Sequence, residues 1–269
     1  MQPLIVVENL VKRYNGRGPV GRPGVVHALH RVTFSIAPGK TLALVGESGS
    51  GKTTTALCLA CLERPTSGRI LLEGRDIAAL QEKELHAVRP QIQLVFQDPA
   101  TSLNPRFTVL EILTEPLLFQ RKARRSEAAE LAYALMERVG LPAEIARRGS
   151  GELSGGQRQR LAIARALILS PKLLILDEAL SALDCSVQAQ IANLLIDLQL
   201  SLGLTYLFIT HDLAMAAHLG DEIAVLDRGR IVDRGAPEMV LPKPEKEATK
   251  LLVQPAPLST GIQPLRRVS

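Results

Sequence analysis

Gly46-Glu47-Ser48-Gly49-Ser50-Gly51-Lys52-Thr53 fits the pattern G-x-x-x-x-G-K-[ST] at every fixed position. In such a loop the glycines leave backbone N–H groups free to surround phosphate oxygens. The lysine reaches the β- and γ-phosphates, and the final hydroxyl meets Mg²⁺. A second Gly-rich loop, Leu153-Ser154-Gly155-Gly156-Gln157, adds a serine hydroxyl and opens a run of strong helix formers to Leu167. Backbone N–H groups at a helix start suit anionic oxygen, so the question is whose phosphate this second loop holds. Leu173-Leu174-Ile175-Leu176-Asp177-Glu178 is wholly apolar up to two carboxylates, which are costly to bury unless a cation meets them. Asp177 is suited to hold Mg²⁺, directly or through water. Glu178 is suited to take a proton from, or orient, an attacking water, an effect on the order of 10²–10⁴ in rate.

Three more residues follow apolar runs. Gln97 comes after Ile92–Phe96 and His211 after Leu207–Thr210. A lone Gln or His is more often structural. Ligands of open α/β sheets, however, gather beyond the carboxyl ends of strands, and the shared edge would bring Lys52, Gln97, Asp177, Glu178 and His211 together. Gln97 suits metal and water, and His211 suits a γ-phosphate oxygen. Tyr14 ends a strand-like run. It either stacks on a nucleobase, worth about 1–3 kcal/mol, or packs on its own sheet.

The elements that must position these groups are legible in outline. Residues 4–13 and 27–36 read as strands split by an exposed Gly/Pro/Arg loop, 15–24. Thr41–Val45 is a short buried strand, and a helix follows the phosphate loop to about Leu62. Strands are expected near 68–74, 92–96, 173–176 and 205–210, helices over 108–139 and 186–202, and a two-strand hairpin at 223–234. Apolar strands alternating with helices imply a parallel sheet covered on both faces. The N-terminal strands read as antiparallel and peripheral, and the chain from 242 as a weakly packed tail.

Composition is ordinary for a globular α/β chain, but aromatics are only 3% of the 269 residues, so the core must be aliphatic. The formal net charge of +5 is explained by phosphate loops and solvated surface. No basic run interleaves with aromatics, so no nucleic-acid partner is expected. No apolar run reaches the roughly 20 residues of a membrane span, and the N-terminus does not read as a secretory signal. A cytoplasmic protein is expected. Cys58 and Cys61 have C-x-x-C spacing but sit in an apolar helix without a second pair, and read as buried thiols.

Taken in order, these motifs resemble the ATP-binding subunit of an ATP-binding-cassette (ABC) transporter over about residues 4–240. The resemblance implies a P-loop NTPase cassette over 1–241. This has a mostly parallel core sheet, an N-terminal antiparallel β-subdomain and a helical subdomain at about 99–165, followed by a tail at 242–269. It implies that ATP is held by Tyr14, Gly46, Glu47, Ser48, Gly49, Ser50, Gly51, Lys52, Thr53 and Thr54. A partner's ATP is held by Ser154, Gly155, Gly156, Gln157 and Asp184, the last in Ser181-Ala182-Leu183-Asp184. Mg²⁺ falls to Thr53, Gln97 and Asp177, and catalysis to Glu178, His211 and Gln97. Val95–Pro99, Ser102–Arg106, Ser181–Gln190 and the loop after Tyr14 resemble the peptide and nickel importer branch. There, two unlike ATPase subunits serve two permeases and a substrate-binding protein at the cytoplasmic membrane face. No Cys lies beyond Cys185, unlike many oligopeptide members, and the terminal Pro264-Leu265-Arg266-Arg267 is similar to the nickel subunit. An exporter subunit, or a soluble cassette acting on nucleic acid, is the competing expectation.

Overall fold

The structure, a computed structural model, describes residues 2–17, 23–242 and 246–253. The chain begins with a long antiparallel pair, β1 (Ile5–Arg17) and β2 (Pro23–Ile36), in which Ile5 faces Ile36 and Arg17 faces Pro23. These strands run further than expected and take up both shoulders of the 15–24 segment; residues 18–22 lie outside the described residues. Next come β3 (Thr41–Val45), α1 (Lys52–Leu59), β4 (Ser67–Leu72), β5 (Arg75–Asp76), α2 (Glu82–Val88) and β6 (Ile92–Val95).

A helical stretch follows: α3 (Pro99–Ser102), α4 (Val109–Phe119) and α5 (Arg125–Arg138). The stretch 108–139, expected to be mostly helical from Thr108, is so, as two helices. Arg121 takes a left-handed φ of 52°, and Glu127 caps the backbone N–H of Arg124 to restart the helix. The remaining elements are α6 (Gly155–Leu167), β7 (Leu173–Asp177), α7 (Cys185–Leu202), β8 (Thr205–Thr210), α8 (Leu213–Leu219), β9 (Glu222–Asp227), β10 (Arg230–Gly235), α9 (Pro237–Val240) and α10 (Glu247–Val253). Segment 247–253 does not behave as a weakly packed tail. Thr249 is buried and donates to Asp233 of β10 at 2.9 Å.

Two sheets result. The smaller is antiparallel, in the order β2-β1-β4-β5. The larger runs β10-β9-β3-β8-β7-β6, parallel except at its β10 edge. Alternate residues of the central strands enter different cores. Leu42, Leu44, Leu173, Ile175, Leu207 and Ile209 pack with α1 and the antiparallel sheet. Ala43, Leu174, Leu176 and Phe208 pack with α6, α7 and α8. Double-sided burial is why these strands read as unbroken apolar runs. A third cluster joins α4, α5 and Leu153 to Leu161 and Ala164 of α6. Cys58 is buried in the first core, its thiol pushed up to about 12 by desolvation, and half-buried Cys61 is pushed to about 11. Both are inert thiols.

Candidate functional site

The ends of β3, β8, β7 and β6 lie side by side along one edge of the parallel sheet, and the predicted residues follow them. The phosphate loop leaves β3 under tight constraint. A Cβ at Gly46 would stand 2.2 Å from the Leu226 carbonyl oxygen, and one at Gly51 2.6 Å from that of Ala28. Gly51, at φ 109°, caps α1 with no side chain in the way. The turn after β9 steadies the loop: Gly229 N–H donates to Ser50 O (2.8 Å), and Gly229 O accepts from His30 N–H (2.7 Å).

Lys52 is buried, and its Nζ donates to Gly46 O (2.8 Å) and Glu47 O (3.0 Å). It lies 3.9 Å from Glu178 Oε1. Burial holds its ammonium below the usual lysine range, against the pull of Glu178 and Asp177. Asp177 ends β7, 5% exposed; burial raises its carboxyl above the ordinary range, opposed by a hydrogen bond from Thr53 and by Lys52. Oxygen Oδ1 of Asp177 has no hydrogen-bond partner. A buried carboxylate oxygen with an open valence, beside a threonine hydroxyl, is a hard-oxygen donor set that fits Mg²⁺.

Glu178 sits one residue on with a left-handed φ of 48°, a strained conformation for a non-glycine residue and one that clusters at functional sites. Its N–H donates to Ile209 O of β8 (2.9 Å), and its own carbonyl accepts from Ser181 Oγ (2.9 Å). These bonds swing the carboxylate between Lys52 and His211, whose Nδ1 is 3.6 Å from Glu178 Oε2. Gln97 lies on the same edge, two residues beyond β6, and is exposed.

The second loop is held elsewhere. Ser154 caps α6: its Oγ accepts from Gln157 N–H (3.2 Å), and Gln157 Oε1 accepts from Ser154 N–H (3.0 Å). A Cβ on Gly155 would lie 3.6 Å from Leu183, and one on Gly156 2.9 Å from Val187 Cγ1. Gly156 is therefore constrained by packing on the start of α7 as well as by open N–H groups, whereas Gly155 has room for a methyl. Asp184 caps α7, accepting from Val187 N–H (2.9 Å).

Tyr14 is half-buried on β1, opposite Val26. Sequence reasoning missed Lys12, which stands against the Tyr14 ring; the signal was a cation two positions back on the same strand face. It also missed a groove of about 380 Å³ beside β6. Phe96, Leu103, Pro116 and Phe119 line it, with Ala162 and Ala166 of α6 and the Arg165–Glu115 ion pair. Six of these residues read as ordinary helix positions and gave no signal.

Residues 29–181 match the family described as ABC transporter. The chain belongs to the ABC transporter family. A probable peptide ABC transporter ATP-binding protein of Sinorhizobium fredii is 49% identical over 95% of this chain and 73% of its own length. A dipeptide transport ATP-binding protein of Haemophilus influenzae is 43% identical over 95% of this chain and 78% of its own. A glutathione import ATP-binding protein of Pectobacterium atrosepticum is 45% identical over 96% of this chain but only 42% of its own. Among solved structures, the dimeric post-hydrolysis state of an ATP-binding cassette bound to ADP and Pi matches with a TM-score of 0.77 at 31% identity. It covers 87% of this chain and 98% of that one. This ABC cassette binds ATP, and its activity is ATP hydrolysis coupled to transport.

Proposed function

We propose that this cassette is the ATPase subunit of an importer for short peptides or closely related cargo, working at the cytoplasmic face of the membrane. Its partners are a second, non-identical cassette, two permease subunits and a substrate-binding protein. The relatives' names, which mention peptide, dipeptide and glutathione, favour peptides over nickel. No helix among the described residues is long and apolar enough to cross a membrane, so the membrane path falls to the permeases. The groove between β6 and α4 is lined by Phe96, the residue before Gln97, and mixes apolar side chains with the Arg165–Glu115 ion pair; it is the seat we assign to a permease segment.

One observation carries the reading. The partners of Lys52 are Gly46, Glu47 and Glu178, whereas the glycines after Ser154 pack on Leu183 and Val187. The two phosphate-binding devices are thus held by different residues, which fits two ATP molecules shared head to tail by two cassettes. In this mechanism the Gly46–Thr54 N–H groups and Lys52 bind and orient the triphosphate, and Tyr14 meets the base. Thr53, Asp177 and Gln97 would hold Mg²⁺, which neutralises phosphate charge when bound. Glu178, aimed by the Ile209 and Ser181 bonds, accepts a proton from the attacking water, and His211 supports a γ-phosphate oxygen. Ser154–Gln157, with Asp184, completes the partner's site, so ATP stabilises the closed pair and hydrolysis releases it.

Glu178→Gln tests this. With the partner cassette present, the variant is expected to retain ATP, accumulate as a closed dimer by size-exclusion chromatography and lose steady-state turnover. Turnover near the wild-type rate would overturn the assignment of Glu178.

A further inference from the structure

Lys12 lies on β1, 9% exposed, with its Nζ 4.7 Å from the centroid of the Tyr14 ring. Nζ also donates to Arg64 O (2.8 Å) and to the Glu63 carboxylate, both on the chain leaving α1. Lys12 and Tyr14 are two apart on one strand and share a face. The ammonium is therefore held against the ring from two sides: by its own strand and by the exit of the helix that begins with Lys52. Burial pushes the ammonium's pKa down, but the Glu63 hydrogen bond and charge outweigh it and leave it raised. The group stays charged throughout the neutral range.

A cation this close to a ring face interacts with its π density. Two consequences follow for the other face. It becomes electron-poorer, and so a better stacking surface for an electron-rich purine. It is also the face that remains for a base, since the lysine occupies the first. The bonds to Glu63 and Arg64 further fix where the ring can stand, because Lys12 cannot swing aside without giving them up.

We infer that Lys12 is a positioning residue for the nucleobase: it orients and polarises Tyr14, so ATP affinity depends on Lys12 without contact between lysine and nucleotide. This rests on the reading that Tyr14 stacks on the base of ATP. Nothing in the phosphate loop requires it, and the interaction is confined to the base end of the ligand. Nucleotide and base-free triphosphate therefore respond differently to its loss.

The experiment measures equilibrium binding of ATP and of inorganic tripolyphosphate, a base-free probe, to the full chain and four variants. Lys12→Met is expected to weaken ATP about three- to tenfold, the range of a partly desolvated cation–π contact, and to leave tripolyphosphate unchanged. Lys12→Arg, which keeps the cation, is expected to retain ATP affinity. Glu63→Gln, whose amide oxygen can still accept from Lys12 Nζ, keeps the lysine against the ring and is expected to do the same. If Lys12→Met does not fold, Lys12→Gln takes its place with the same expectations. Loss of both ligands alike would make the lysine a mere support of β1 and overturn the inference. So would wild-type ATP affinity in Lys12→Met while Tyr14→Ala binds ATP weakly; in that case the stacking role of Tyr14 stands. Wild-type ATP affinity in Tyr14→Ala would instead remove the stacking reading itself.

Discussion

Gly156→Ala separates two demands that the second phosphate loop places on one residue. The new methyl would stand 2.9 Å from Val187 Cγ1, roughly half an ångström inside ordinary contact. Val187 is β-branched and cannot turn away cheaply. Overpacking of this kind costs about 1–3 kcal/mol. Against it stands the helix-propensity gain of alanine over glycine, about 1 kcal/mol at most this close to a helix start. The single variant should thus lose about 0–2 kcal/mol and much of its ATPase rate, because the first turn of α6 is pushed off α7. Val187→Ala removes the offending methyl. The double variant should recover stability to wild type or slightly above, with a coupling of about 1 kcal/mol or more between the two sites. Its ATPase rate should recover only partly, since a methyl still covers the N–H groups at the loop. Thermal melts and steady-state ATPase assays with the partner cassette measure both. If Val187→Ala brings no rescue, so that the two sites show no coupling, the packing argument is wrong.

Other outcomes follow from the same geometry. Asp177 has a raised pKa in the folded chain, so the ligand-free protein should lose stability as pH climbs from the ordinary Asp range through that raised value. Asp177→Asn should flatten this slope and raise the melting midpoint at neutral pH while abolishing stabilisation by Mg²⁺ with ATP; a steeper slope would contradict the sign. Gln159 is fully buried with neither amide atom hydrogen-bonded, so Gln159→Met should stabilise the ligand-free chain by about 1–3 kcal/mol in chemical denaturation. Unchanged or lower stability would show the amide has a partner. Ser154→Arg should cost about 1 kcal/mol for the lost cap and keep ATP affinity in the isolated chain, but stop ATP-driven dimerisation with the partner. Dimers formed at wild-type ATP concentrations would refute the role of that loop.

The strand-end cluster was legible as a placement because the parallel sheet leaves a double signal: an apolar run long enough to be buried on both faces, then an abrupt polar residue. Leu173–Asp177 carries both parts, and Lys52, Asp177, Glu178 and His211 duly meet. The strained backbone of Glu178 was not legible, because it follows from bonds to Ile209 and Ser181, which are set by tertiary pairing. The break inside the mostly helical stretch 108–139 was not legible, because a single residue decides it, the left-handed Arg121 that splits α4 from α5. The short α10 was read as tail because the stretch from 242 onward is rich in Pro, Lys, Glu and Ser. Its order comes from Thr249 reaching Asp233, a contact no local pattern announces. Gly156 was read as chemistry alone, and its packing requirement needed the position of Val187.

Helix α6 belongs to two cores at once. Ala162, Ile163, Ala166 and Leu167 are packed into the sheet's core, and Leu161 and Ala164 into that of α4 and α5. A close-packed helix of this kind cannot slide freely in either bed. Any tilt of the α4–α5 pair, such as a docked permease would impose, must therefore either carry α6 with it or shear one core. Because Ser154 caps that helix, the proposed stroke of the membrane subunits and the proposed grip on a neighbour's nucleotide become two ends of a single rigid lever.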